Sequence, residues 1–197
     1  MKNKFILPIL SIFFMGVTSL YLLSLYFYTM QCDGWVIGDW LINYEAGFVR
    51  RGLSGFLIIG LSDLINLKPN ITVGLIQTVL YVAYMSIFYF LSSRKKMTVW
   101  FCILLLSPVT LLFPILNMPA TGRKEIILYF LFLLYVLLLE KKMMKSRLAI
   151  LFFSAALLVA TLFHELIFFY TPYFIVAAWL KSKIDNDPNT IGNVLPN

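Results

Sequence analysis

The sequence predicts an all-α fold, a polytopic integral-membrane helix bundle, on three observations. Of 197 residues, 61% are hydrophobic and only 13% charged, and the mean hydropathy is +0.88. The apolar residues come in long runs, several near the length of about 20 that crosses a bilayer core as a helix. The basic residues behind the net charge of +7 sit in short clusters at the ends of those runs. Topology signals have that distribution, which argues against nucleic acid as a partner.

Each element follows in order. Behind MKNK, residues 5–30 are too long for a signal-peptide core and lack a small-residue cleavage site, so they read as an uncleaved first span. Residues 31–70 form a long loop. Within it FLIIGLSDLINL, 56–67, is too short to span and predicts a helix that lies along the surface or re-enters from outside, with Asp63 on its wetter side. A second span, 71–93, stops at Arg94-Lys95-Lys96. A third, 97–116, is bent or ended by Pro108 and Pro114. A fourth, 124–140, runs into KKMMKSR. The apolar region 148–180 is too long for one straight helix and is interrupted by His164-Glu165 and Pro172. It predicts two short spans, 148–163 and 166–180, that meet near His164. The transmembrane domain thus covers 1–183 in about six spans, and 184–197 is a polar tail.

Orientation follows from the bases. With the N-terminus inside, the inner segments 2–4, 94–96, 141–147 and 181–183 hold eleven Lys and Arg, and the outer segments hold five. The positive-inside preference therefore predicts an integral plasma (cytoplasmic) membrane protein with both termini cytoplasmic. Loop 31–70, turn 117–123 and the turn at His164 face outward.

The outer face then gathers acids and bases, whereas the inner face is plainly basic. In NYEAGFVRRGLSG, residues 43–55, Arg50 and Arg51 offer planar, multi-donor groups to phosphate oxygens, and Asp39 or Glu45 can orient them or act as a base. Trp35, Trp40 and Tyr44 suit the headgroup zone, and Trp35 and Trp40 either flank a sugar or anchor the loop. In NMPATGRKEI, 117–126, Arg123 and Lys124 fall at the outer end of a helix whose first amides also favour an anion, with Glu125 one residue deeper. In FHELIFFYTPYF, 163–174, His164 and Glu165 form either a general acid/base pair or a structural polar knot between two half-length helices. His164 is the sole histidine, HELIF lacks the second His of a zincin, and no P-loop spacing is present. Cys32 and Cys102 fall near opposite faces. Neither metal, disulfide nor cofactor is expected. Cationic groups and embedded acids in a greasy surround suit an amphiphile carrying a phosphate, such as a polyprenyl-phosphate or polyprenyl-diphosphate sugar lipid.

A first span, a long outer loop with Asp39 and GFVRRGLSG, then GRKE at one helix start and HE near a later one, resembles bacterial polytopic polysaccharide-assembly proteins. These are the O-antigen or capsule polymerases and the C-type membrane glycosyltransferases. The resemblance implies sugar transfer or polymerisation from a lipid-linked donor at the extracytoplasmic face, with other assembly proteins as partners. It implies a catalytic role for Asp39, or failing that Glu45, and phosphate binding by Arg50, Arg51 and Arg123. Such proteins usually have more spans than six, which implies a truncated member or part of an assembly. The competing classes are a transporter or flippase component and a noncatalytic scaffold. Uniformly apolar mid-span positions argue against the former, and charges on the translocated face argue against the latter.

Overall fold

The computed structural model describes residues 3–32, 34–95, 98–107, 111–112 and 116–186. Among them the chain is helical and has no strand. Helix α1 (Asn3–Gln31) and helix α4 (Pro69–Ser93) contain segments, Leu7–Gln31 and Pro69–Ser93, long and apolar enough to cross a membrane. Between them lie the short α2 (Val36–Leu41) and the longer α3 (Gly52–Ile65). There follow α5 (Val99–Leu106), α6 (Met118–Thr121), α7 (Glu125–Glu140), α8 (Arg147–Thr161) and α9 (Leu166–Asn186).

Helices α1 and α4 pack antiparallel. Ser11 meets the Tyr89 hydroxyl at 2.8 Å near one end, and Gly74 meets Thr29 near the other. Pro69 begins α4 where its missing N–H costs nothing. One face of α4, Val73, Gln77, Tyr81 and Met85, repeats every four residues and is buried, as a helix of 3.6 residues per turn requires. A β-carbon at Gly74 would overlap the Thr29 side chain, so the missing side chain is what lets the two backbones approach.

Helix α3 begins at Gly52, earlier than expected, and is not merely laid on a surface. Ile58 and Ser62 are buried against the bundle, and Ser62 Oγ donates to Ile58 O at 2.7 Å and lies 2.9 Å from Thr72 Oγ1 of α4. Asp63 stays exposed, as expected. The helix ends at Asn66 in the left-handed region (φ 55°), and the Leu67 amide donates to Ser62 O, a capped C-terminus.

The segment expected as the span 97–116 does not run as one helix. Thr98 caps α5 by accepting from the Phe101 amide at 3.2 Å, and α5 stops at Leu106. Ser107 is extended (ψ 133°), as steric conflict with a following proline dictates. Pro108, Pro114 and the tail beyond Asn186 lie outside the described residues. The turn 117–123 folds partly into the bundle, with Asn117 and Arg123 exposed at its ends. Thr121 is fully buried, and its carbonyl accepts from the Tyr81 hydroxyl. Gly122 O accepts from Gln77 Nε2 at 2.5 Å and from Trp40 Nε1 at 2.8 Å. Non-helical backbone thus enters the bundle, and side chains of α2 and α4 supply the hydrogen bonds it would otherwise lack.

The remaining helices pack on this frame. Tyr84 meets Tyr129 and Lys95 meets Glu140, so α4 and α7 run parallel. Phe132 meets Phe174 and Glu140 meets Lys181, so α7 and α9 are parallel as well. Two apolar clusters result, one around α1 and α4 and one joining α7, α8 and α9, with Ile127 packed against both.

Candidate functional site

Five side chains from three distant parts of the sequence form a continuous chain of ion pairs. Arg51 Nη2 donates to Glu165 Oε1 at 2.9 Å, and Arg50 Nε lies 3.6 Å from Glu165 Oε2. The other terminal nitrogen of Arg51, Nη1, lies 3.6 Å from Asp39 Oδ1, and Lys124 Nζ lies 3.8 Å from that same oxygen. Arg123 Nε stands 3.5 Å from Glu125 Oε1 on the adjoining turn. With Arg123 and Glu125 included, four bases face three carboxylates.

Local structure explains the convergence. Tight turns deliver the arginines: Gly47 has φ 114°, which an L side chain resists, and Gly52 packs so closely on the Tyr44 ring that a β-carbon would collide with it. Gly55 packs onto the carbonyls of Leu41 and Ile42, where no β-carbon fits, and its amide donates to Ile42 O at 3.1 Å. That contact clamps the start of α3 to the end of α2 and brings Arg51 beside Asp39. The buried backbone of 121–122 carries Lys124 and Glu125 inward, and the break between α8 and α9 delivers His164 and Glu165.

The site has an outer rim and an inner floor. Arg50 and Arg123 are 82% and 51% exposed, and each touches its glutamate through Nε. Among the described residues their terminal nitrogens have no partner and can take two oxygens of an anion. Lys124 is fully buried, and its Nζ makes no hydrogen bond among the described residues; the same holds for Glu125 Oε2. Asp39 is one-quarter exposed, and its two ion pairs are longer than hydrogen bonds, so it keeps acceptor capacity. The hydrogen bond from Arg51 holds the Glu165 carboxyl below its usual range.

His164 is buried, and its Nδ1 accepts the Leu166 amide at 3.1 Å. A neutral imidazole accepting at Nδ1 carries its proton on Nε2, so His164 offers a donor there rather than a base. The backbone thus sets the tautomer, not Glu165, which is held by the arginines. Burial pushes the His164 pKa down, and Arg51 and Lys124 push it further, against the opposing pull of Glu125 and Asp39.

Two expected site residues stand elsewhere. Glu45 is exposed, makes no ion pair among the described residues, and borders a groove of about 700 Å³ with Asn43 and Asp63. In the loop containing it Tyr44 stacks on Phe48 and leans on Phe56 of α3. Trp40, expected at the surface beside a substrate, is 1% exposed and pins Gly122. Its N–H finds a backbone carbonyl inside the bundle, which removes the reason for an indole to sit at a wet boundary. Trp35 is the exposed one of the pair. The residues that sequence reasoning missed are Gln77 and Tyr81, whose signal was a polar group in the middle of an apolar run.

No protein-family model, no curated protein and no solved structure matches this chain.

Proposed function

We propose that the chain is a cytoplasmic-membrane protein that binds a polyprenyl-phosphate- or diphosphate-linked sugar at its extracytoplasmic face and transfers or polymerises the sugar in surface-polysaccharide synthesis. The membrane reading is supported by the exterior: Ile9, Ile12 and Met15 of α1 and Phe152 of α8 are all more than two-thirds exposed. In that setting α7, 16 residues and about 24 Å long, is shorter than a hydrocarbon core of about 30 Å. Its charged N-terminal end therefore sits somewhat below the outer surface, deeper than a simple interfacial anchor.

One observation carries the functional reading: an ion-pair chain from Arg50 to Lys124 with outward guanidinium groups on its rim. Helices α7 and α9 both begin beside it, which adds the positive ends of their backbone dipoles. In the reaction, the acceptor hydroxyl oxygen bonds to the anomeric carbon and gives its proton to Asp39. The bond from that carbon to the lipid diphosphate breaks, and the diphosphate leaves with the electron pair. Arg50, Arg51, Arg123 and the Nε2–H of His164 stabilise its charge.

Flippase activity on the same anionic amphiphile is the second reading, favoured by the non-helical backbone at 122–124 beside the charges. Binding of a polyprenyl-diphosphate sugar to purified protein, with glycan complementation in a deletion strain, tests both. Arg50→Gln and Arg123→Gln should each weaken binding with insertion unchanged. Asp39→Asn should leave binding in place and lower glycan formation by about 10²–10⁴-fold. Full activity of D39N at equal protein level removes Asp39 from the chemistry and passes the role to Glu125. Transbilayer movement of the lipid without transfer selects the flippase.

A further inference from the structure

Arg51 is engaged on both terminal nitrogens. One donates to Glu165 Oε1 at 2.9 Å, and the other stands 3.6 Å from Asp39 Oδ1. Arg50 Nε lies 3.6 Å from the second oxygen of the same glutamate. Glu165 thus offers two oxygens to two guanidinium groups, as a phosphate would. We infer that Glu165 is a resident carboxylate that closes this arginine pair, and that the diphosphate of the donor binds Arg50 and Arg51 only by displacing it. The inference rests on the anion-site reading just given.

The three carboxylates of the site differ in how freely they can leave. Asp39 lies 3.8 Å from Lys124 Nζ, and Lys124 is fully buried, so moving Asp39 away strands a buried ammonium. Glu125 is fixed by burial, with Oε2 sealed from solvent. Glu165 is about one-third exposed, and its partners are the half-open Arg51 and the open Arg50. Water and an incoming anion can reach both sides of that contact. An ion pair so exposed is weak enough to exchange.

The backbone allows the exchange without unwinding a helix. Glu165 stands in the break between α8, which ends at Thr161, and α9, which begins at Leu166. Its carbonyl accepts from the Phe168 amide at 3.1 Å, so the first turn of α9 holds the main chain while the side chain changes rotamer. After release the carboxylate stays beside the positive end of α9, which keeps its charge favourably placed.

Charge balance points the same way. With Glu165 released, the four bases Arg50, Arg51, Arg123 and Lys124 face two carboxylates, Asp39 and Glu125. That excess matches the double negative charge of a diphosphate diester.

The test is titration calorimetry with inorganic diphosphate on the full-length protein, in a maltoside detergent that brings no phosphate of its own. Glu165→Gln removes the competing charge and should tighten binding about three- to tenfold, the size of a partly exposed ion pair. Glu165→Asp keeps the charge but retracts the carboxylate by one carbon–carbon bond, about 1.5 Å, out of hydrogen-bond reach of Arg51. It should tighten binding too, whereas a glutamate acting only as a nearby charge leaves this variant at the unaltered affinity. Asp63→Asn removes an exposed acid that pairs with no base among the described residues, and should change nothing. Unchanged affinity in E165D, equal tightening in D63N, or weaker binding in either Glu165 variant overturns the inference; in the last case Glu165 holds the arginines in place for the anion. Decyl diphosphate as a second probe separates the inference from the lipid-linked reading. Binding of inorganic diphosphate alone, tightened by both Glu165 variants, keeps the displacement and removes the lipid donor. Failure of both probes in every variant removes the anion site and the displacement together.

Discussion

His164 accepts at Nδ1 from the first amide of α9, and that hydrogen bond requires an unprotonated nitrogen. Asp39, Glu125, Arg51 and Lys124 are the charged groups that act on it, and burial is the largest influence, lowering its pKa from 6.5. The sign of the pH effect follows. Below about 6.5 the unfolded chain binds the His164 proton more readily than the folded chain, so stability is lost as pH falls from there. Glu165, with its pKa lowered from 4.5, adds a separate loss only at lower pH, on falling through its folded value. Thermal unfolding in detergent between pH 7.5 and 5.5 should show the His164 loss. It should be absent in His164→Gln, whose amide oxygen can accept the Leu166 N–H without titrating. An unchanged slope in that variant assigns the pH dependence to other groups.

At the scale of elements, the bundle is organised around a stretch of backbone rather than around a helix face. Residues 121–124 bring two carbonyls and a lysine into the space between α2 and α4. The approach depends on Gly122, where a β-carbon would overlap Val36 of α2. Gly122→Ala should therefore destabilise by about 1–3 kcal/mol through overpacking, seen as a lower midpoint in thermal unfolding. Val36→Ala, which opens the required space, should recover much of that loss when the two are combined, a coupling expected of neighbours in contact. Strict additivity of the two changes would mean that the segment relieves the overlap by moving as a whole. The same segment holds Lys124 beside Asp39, so a shift there also changes the site.

For the molecule as a whole, the parallel α4, α7 and α9 carry the charged site toward one end and the Glu140 cluster with Lys95 and Lys181 at the other. Cys32, a free and exposed thiol just past the C-terminal end of α1, reports which side that is. In the orientation drawn from the bases, a membrane-impermeant maleimide added to intact cells labels Cys32 in a Cys102→Ser background. Labelling that requires permeabilisation reverses the orientation and moves the charged site to the cytoplasmic side. A reporter inserted at Ala46, in the exposed loop, should agree, whereas Pro119 is a poor insertion point because the segment after it is buried.

Helix content, the breaks near residues 31–35, 94–98 and 164, and the apolar character of α1 and α4 were readable in sequence. They depend on run length, proline and glycine chemistry, and charges that stop a run, all of which are local. The three charged segments were also visible one by one, because a charge in an apolar chain stands out by composition. Their assembly was decided by tertiary structure. Nothing within residues 39–51 or 123–125 specifies that Arg51 bridges Asp39 to Glu165, because that contact depends on how α3, α7 and α9 pack. The same holds for the inward course of 117–124. By composition it resembles an exposed turn, and only Trp40, Gln77 and Tyr81 together, contributed by other helices, satisfy the backbone it buries. A side chain's hydrogen-bonding needs are written in its own residue; the partner that meets them is chosen by the fold.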